Sequence, residues 1–461
     1  MVYIIVHTCT WLIMARYLIF SVVLIFFSGV RPISGKPNII IMMMDDMGWG
    51  DLGIFGHPAK ETPNLDQMAA EGVLMTDFYS ANPLCSPARA ALLTGRLPIR
   101  NGFYTTNQHA RNAYAPQFVV GGIQDYEILL PELLKKAGYK SKIIGKWHLG
   151  HQPQYLPLQH GFDEFFGSPH CHFGPYNDKG TPNIPVYRDG EMAGRYYEDF
   201  VITKTGESNL TQLYIQMQLR HIPAQHGTCI SQAETKQGGS NGPFLCGKET
   251  TFEGGMREPA IAWWPGTIKP GQVSHQLGSI MDLFTTALKI AGLSPPSDRI
   301  VDGTDLLPNL VNGTIDSAKP IFYYRGNEMM AIRIGLYKAH YWTWTNSLQE
   351  FEKGVNFCRG ENVTGVMTHQ QTNHTDAPLL FHLGRDPGEK YPIEQTTQEY
   401  KEVMPMIMRV VGNHKEKLVP GQPQLNMCDW AVQNWAPPGC EKLGECLPIP
   451  KSHPYKCSWP H

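Results

Sequence analysis

A chain of 461 residues with 42% hydrophobic and 17% charged residues is long enough to bury a large core shared by two or three domains, which excludes a disordered polymer. Its formal net charge of −2 gives no basis for expecting nucleic acid or an anionic membrane as partner. The 45 glycines and 36 prolines predict many turns between short elements.

In chain order, the first signal is an address. Tyr17 to Val30 is almost wholly apolar and follows Arg16, with small residues (Ser28, Gly29, Ser34, Gly35) nearby as cleavage points. Residues 1–35 therefore read as a secretory signal peptide, and the unbroken run is shorter than the roughly 20 residues of a stable membrane span. Residues 1–13 form an unusual n-region for it; a start at Met14 gives a more ordinary one. Asn38 to Met44 is a continuous apolar run, expected as a buried strand, and Asp45-Asp46 and the glycine-rich Met47–Gly53 follow at once. In open parallel sheets ligands gather at the carboxyl ends of strands, so acidic residues there attract notice. Thr62 to Asp66 opens a helix with Asn64 as a plausible cap. Further helices are expected over Ser86–Leu93 and Leu129–Ala137, and a strand over Lys142–Ile144 runs into Gly145-Lys-Trp-His148. This alternation predicts an α/β fold, a mixed sheet flanked by helices, over residues 36–318.

Beyond about residue 320 the texture changes. Ile321–Tyr324, Leu336–Trp342 and Leu379–His382 read as short strands and Glu402–Leu418 as a covering helix, so 319–420 is expected to be a smaller antiparallel α+β domain. Cys428, Cys440, Cys446 and Cys457 crowd the proline-rich tail, 421–461, where disulfides are expected. The sequons at Asn209, Asn312, Asn362 and Asn373 each forecast a surface position in a secreted protein.

The strongest chemical signal is Cys85-Ser86-Pro87-Ala88-Arg89, followed by Leu93-Thr94-Gly95. An isolated cysteine before a helix is ordinarily a buried thiol, and an isolated Asp-Asp pair ordinarily a turn or cap. Here the whole string resembles the sulfatase family's signature, in which the cysteine is oxidised to formylglycine. The resemblance implies an alkaline-phosphatase/sulfatase-like fold and a catalytic set of Cys85, Arg89 and His148. It also implies a Ca²⁺ site built from Asp45, Asp46 and the side chain at 85. Lys146, in Gly145-Lys-Trp-His-Leu-Gly150, and Lys248 match the family's sulfate-binding lysines, and Tyr114 a substrate contact. Longer stretches (Asn82–Arg89, Leu97–Asn107, His109–Tyr114, Cys171–Tyr176, Gly238–Lys248 and Asn434–Gly444) resemble a lysosomal branch of the family. That branch removes 6-sulfate from N-acetylgalactosamine in chondroitin 6-sulfate and from galactose in keratan sulfate. By resemblance the chain reaches the lysosome through the secretory pathway, is matured by the formylglycine-generating enzyme and forms a homodimer. Its disulfides would be Cys246–Cys358, Cys428–Cys457 and Cys440–Cys446, with Cys171 and Cys229 unpaired.

Between Leu213 and Gln237 the resemblance fails. Relatives carry there a strand, a catalytic histidine, a long helix and a strand ending in Ser-Asp-Asn-Gly, whose Asp-Asn pair completes the metal shell. Without it, Asp45 and Asp46 offer too few oxygens for a cation that takes about 6–8, and the sheet is expected to have unpaired edges. His221 or His226 are weak substitutes for the missing histidine, given Pro223 between them. The alternative to a working hydrolase is therefore a catalytically impaired chain that binds sulfated glycan through Arg89, Lys146 and Lys248 without turnover. A phosphatase of the same superfamily is disfavoured, because those enzymes place Ser or Thr where Cys85 stands.

Overall fold

The computed structural model describes residues 2–7, 36–107, 115–171, 177–202, 207–208, 210, 213–214, 239–352, 354, 356–358, 362–444 and 446–458. Its main sheet is mixed and six-stranded. Strand β1 (Val2–His7) lies between β2 (Asn38–Met43), to which it runs antiparallel, and the strand Arg257–Trp263, to which it runs parallel. Arg257–Trp263 pairs antiparallel with β3 (Val73–Tyr79), and the short strands Gln272–Ser274 and Gly278–Ser279 add to β3 in parallel. Strands β2 and β3 thus point the same way, so the loops after both open on one end of the sheet.

Of the expected leader, residues 1–35, the apolar run Tyr17–Val30 lies outside the described residues, and Val2–His7 forms a strand inside the sheet, registered from Val2 opposite Met43 to His7 opposite Asn38. Nor is β2 left unpaired on the side towards Arg257–Trp263, since β1 satisfies backbone donors and acceptors on both neighbours.

Helix α1 (Pro63–Ala70) starts from Thr62 rather than Asn64, with proline at its first position. Helix α2 (Cys85–Thr94) is buried along most of its length and stops at Gly95, whose φ of 67° suits a residue without a β-carbon. It packs on the helix Ile280–Ile290, whose Ser279 and Asp282 form a capping box. A second sheet joins β4 (Lys142–Ile144) in parallel to β5 (Glu164–Gly167), then antiparallel to β6 (Pro185–Arg188) and β7 (Glu191–Arg195).

The C-terminal sheet is antiparallel, as expected, in the order Pro320–Arg325, Glu328–Ile334, Tyr337–His340, Leu379–His382, with the helix Gln398–Glu416 against it. One apolar cluster runs from Val73, Phe78, Ala88 and Ala91 to Ile332, Leu380, Met404 and Ile407, so the two parts share a core. Beside it sits a buried ionic knot. Glu253 meets Lys338 at 3.0 Å, Arg333 at 3.3 Å and Arg257 at 3.5 Å, and Arg333 also reaches Asp77 at 2.7 Å. The three expected disulfides, Cys246–Cys358, Cys428–Cys457 and Cys440–Cys446, are all formed. Asn312, Asn362 and Asn373 are exposed; Asn209, Tyr114, Cys229, His221 and His226 lie outside the described residues.

Candidate active site

Three strand ends converge. Asp45 and Asp46 follow β2, the turn Ser80–Leu84 carries β3 into Cys85 at the first position of α2, and Lys146 and His148 follow β4. The Asp45–Gly53 loop is fastened by the buried Asp51, whose carboxylate accepts from the amides of Gly48 (2.7 Å) and Ser240 (2.9 Å). A β-carbon at position 48 would meet the Ser240 carbonyl at 2.4 Å, so that approach requires glycine. The turn before α2 is set by Asn82, whose side chain accepts from Leu84 N at 3.1 Å and donates to Tyr324 O at 3.2 Å. Asp46 (φ 55°), His148 (φ 66°) and Glu249 (φ 73°) all adopt left-handed backbone around the cleft, a conformation costly without glycine.

The charges are paired across the cleft. Lys146 Nζ lies 2.5 Å from Asp45 Oδ2 and Lys248 Nζ 2.7 Å from Asp46 Oδ2. Arg89 is 3.7 Å from Asp45 Oδ1 and donates at 2.5 Å to the carbonyl of Lys146. Burial alone would raise the Asp45 carboxyl, but Arg89, Lys146 and Lys248 outweigh it and hold it well below the usual carboxylate range. Burial likewise works against both lysine cations. Cys85 with Asp45 at Lys146, and Cys85 with Asp46 at Lys248, more than offset it, so both stay charged. A cavity of about 120 Å³, room for several waters, is lined by Asp45, Asp46, Cys85 and Lys248 together with Asn82 and Asn241.

On the inner side of Cys85 stand Cys171 and His148, all three buried. Cys85 Sγ, Cys171 Sγ and a ring nitrogen of His148 lie within 4.8 Å of one another. Cys171 Sγ is 3.4 Å from His148 Nδ1, and His148 Nε2 is 3.0 Å from the Ala115 carbonyl. That carbonyl only accepts, so Nε2 carries the proton and Nδ1 presents its lone pair to the sulfurs. Burial, with Lys146 adding to it, keeps His148 neutral, well below the ordinary histidine value. A hydrogen bond from Cys171 brings the Cys85 thiol down to about 7, against burial and Asp45, with both lysines assisting. Cys171 itself is pushed well up, by burial first and by Cys85 second.

Asp45, Asp46, Cys85, Arg89, Lys146, His148 and Lys248, each singled out from sequence, are thus brought together. The part played by Cys171 was not visible in the sequence, nor were Asn82, Asn241 and Ala115. Cys171 reaches the site by way of Ser168 and Pro169, whose carbonyls accept from the amides of Trp147 (2.9 Å) and His148 (2.9 Å), a pairing that no local pattern announces. For a hard divalent cation, Asp45, Asp46 and the side chain at 85 form a three-atom cluster. That falls short of about 6–8 oxygens, and among the described residues no further carboxylate joins it.

A sheet edge carrying Asp-Asp, a helix-starting cysteine and two lysines is the layout of the alkaline-phosphatase/sulfatase-like hydrolases. The chain belongs to the sulfatase family, matching the sulfatase domain over residues 37–213 and 224–293 and the C-terminal region of aryl-sulfatase over 316–448; it is a sulfatase enzyme. It is 58% identical to N-acetylgalactosamine-6-sulfatase of dog and of human, covering 92% of this chain and 94% of each relative. It is 31% identical to bovine arylsulfatase A, over 91% of this chain and 97% of that one. The fold is similar to the crystal structure of the PsFucS1 sulfatase from Pseudoalteromonas sp., at a TM-score of 0.61 and 23% identity, covering 82% and 91% of the two chains. The alignment with the dog enzyme runs over 494 positions, more than the 461 residues here, so that relative carries internal residues this chain lacks. The sulfatase match is itself interrupted after residue 213.

Proposed function

We propose that this chain hydrolyses 6-sulfate esters on N-acetylgalactosamine and galactose residues of chondroitin 6-sulfate and keratan sulfate, with Cys85 matured to formylglycine as the nucleophile. The observation that carries this reading is the placement of Cys85 at the first turn of α2, lining one cavity with Asp45, Asp46 and Lys248, where Lys146, Lys248 and Arg89 gather on the two carboxylates. A hydrated aldehyde at position 85 would supply two hydroxyls, one to attack sulfur and one whose proton is lost as sulfate departs. Lys146, Lys248 and Arg89 hold the sulfate oxygens through charge-assisted hydrogen bonds, the lysines leaving their present carboxylate partners to do so. His148, neutral and with its Nδ1 lone pair turned inward, takes the proton. The helix start favours the anion through its free amides and dipole. Asp45, Asp46 and the oxygen at position 85 are the ligands available to Ca²⁺, and no step is assigned to the ion because that set is incomplete. The same reading takes the protein to the lysosome by the secretory route, with the formylglycine-generating enzyme as maturation partner and a homodimer as the assembled form. Its disulfides and exposed sequons agree with that route.

A second reading rests on the incomplete oxygen shell and on carboxylates already neutralised by lysines: a chain that binds sulfated glycan without turning it over. Incubation with a fluorogenic 6-sulfogalactoside separates the two. Fluorescence release by the wild type, lost in Cys85→Ala, supports hydrolysis. Saturable binding of a chondroitin 6-sulfate oligosaccharide with no release supports the binder.

A further inference from the structure

Cys85 and Cys171 are the two free cysteines among the described residues, in a molecule whose other six described cysteines are all paired. Their sulfurs lie within 4.8 Å of one another, with a ring nitrogen of His148 in the same cluster. We propose that, as long as position 85 remains a thiol, Cys85 and Cys171 form a reversible dithiol–disulfide pair that oxidised glutathione or a protein disulfide of the secretory pathway can close. The inference concerns the unconverted thiol and does not depend on the formylglycine reading.

The two sulfurs differ in access. Cys85 lines the open cavity while Cys171 lies behind it, against His148 Nδ1. Cys85 is therefore the attacking group: its thiolate displaces one glutathione thiolate from glutathione disulfide and becomes a mixed disulfide. Cys171 then attacks the Cys85 sulfur, its proton passing to His148 Nδ1, and the second glutathione leaves. Two protein thiols are oxidised and one glutathione disulfide is reduced to two glutathiones. Sulfurs within 4.8 Å of one another must close by less than about 3 Å to reach the roughly 2.05 Å of a bond. Closure removes the thiol on which any later oxidation at position 85 depends, and reduction restores it.

The test uses full-length chain made in cells that lack the cysteine-converting activity. The protein is equilibrated in buffers of graded glutathione and glutathione disulfide, quenched with N-ethylmaleimide, digested and analysed by mass spectrometry. The expected result is a peptide pair joining Cys85 to Cys171, two hydrogens lighter than the separate peptides. It should increase with the oxidised form and vanish on reduction. In Cys171→Ser and in Cys171→Ala, Cys85 should instead accumulate as a single glutathione adduct. The Cys246–Cys358, Cys428–Cys457 and Cys440–Cys446 peptides in each digest report that the variants are folded. Separate alkylation of Cys85 and Cys171 at every redox ratio overturns the proposal. So does wild-type Cys85 that stops at the glutathione adduct, or that joins any other cysteine.

Discussion

The reactivity of Cys85 is set by its immediate neighbours. Cys171 donates to it and Lys146 and Lys248 favour its thiolate, while burial and Asp45 oppose, which leaves it at about 7 instead of 9. The thiolate is the species that reacts, so iodoacetamide labelling of the unconverted thiol should accelerate as pH rises through about 7. Cys171→Ala removes the largest favourable contribution and should move that midpoint upward; a midpoint unchanged in the variant would refute the assignment. His151 illustrates the opposite case. It is buried with Nε2 at 2.6 Å from the Val432 carbonyl, and burial pushes it down to about 4. Its folded value lies below its unfolded one, so the unfolded chain binds the extra proton first. Stability is therefore lost as pH falls from 6.5 towards 4, by about 3 kcal/mol at the lower end. Thermal melts over that window should show the decline, and His151→Gln should flatten it.

Among elements, the tail depends on its cross-links. Cys428–Cys457 closes a loop of 29 residues and holds Met427–Cys428 against Tyr455–Lys456. A loop of that size corresponds to about 3–4 kcal/mol of denatured-state entropy. Cys457→Ser should lower the denaturation free energy by about that amount, read from urea titration. Local pattern foretold several elements well. Helix α2, strand β4 and the strand Leu379–His382 appear where their residues predict, because each is a short apolar run bounded by clear punctuation. Glu328–Ile334 was not foreseen. Its Arg333 points into the ionic knot with Asp77 and Glu253, so burial there does not follow the usual apolar alternation. The run Leu336–Trp342 was expected as one strand and is two, Tyr337–His340 and Trp342–Thr343, which pair with different partners. Asp45, Asp46, Lys146 and His148 were legible because motif and strand end coincide, and Cys85, Arg89 and Lys248 from their motifs alone; Cys171 was not, because only the folded loop brings it to Cys85.

At the scale of the molecule, the two parts are joined by the shared apolar core and by Glu253. That carboxylate is wholly buried among Lys338, Arg333 and Arg257, from the C-terminal sheet and the main sheet alike. Removing one partner strands the remaining charges without water. Glu253→Gln should cost about 3–5 kcal/mol, and melting of the two parts should remain a single transition if they unfold together. The inner position of Val2–His7 carries its own consequence. A peptidase cutting between residues 28 and 35 on entry to the secretory pathway would take away the middle plank of the main sheet, leaving a groove six residues long between Asn38–Met43 and Arg257–Trp263. Leader cleavage and the architecture described here thus compete for one stretch of chain. Mass analysis of the purified N-terminus tells which has won: Val2 retained means the plank stays in place, whereas a beginning near residue 36 means another segment must fill the groove or it stands open to an extended peptide from outside.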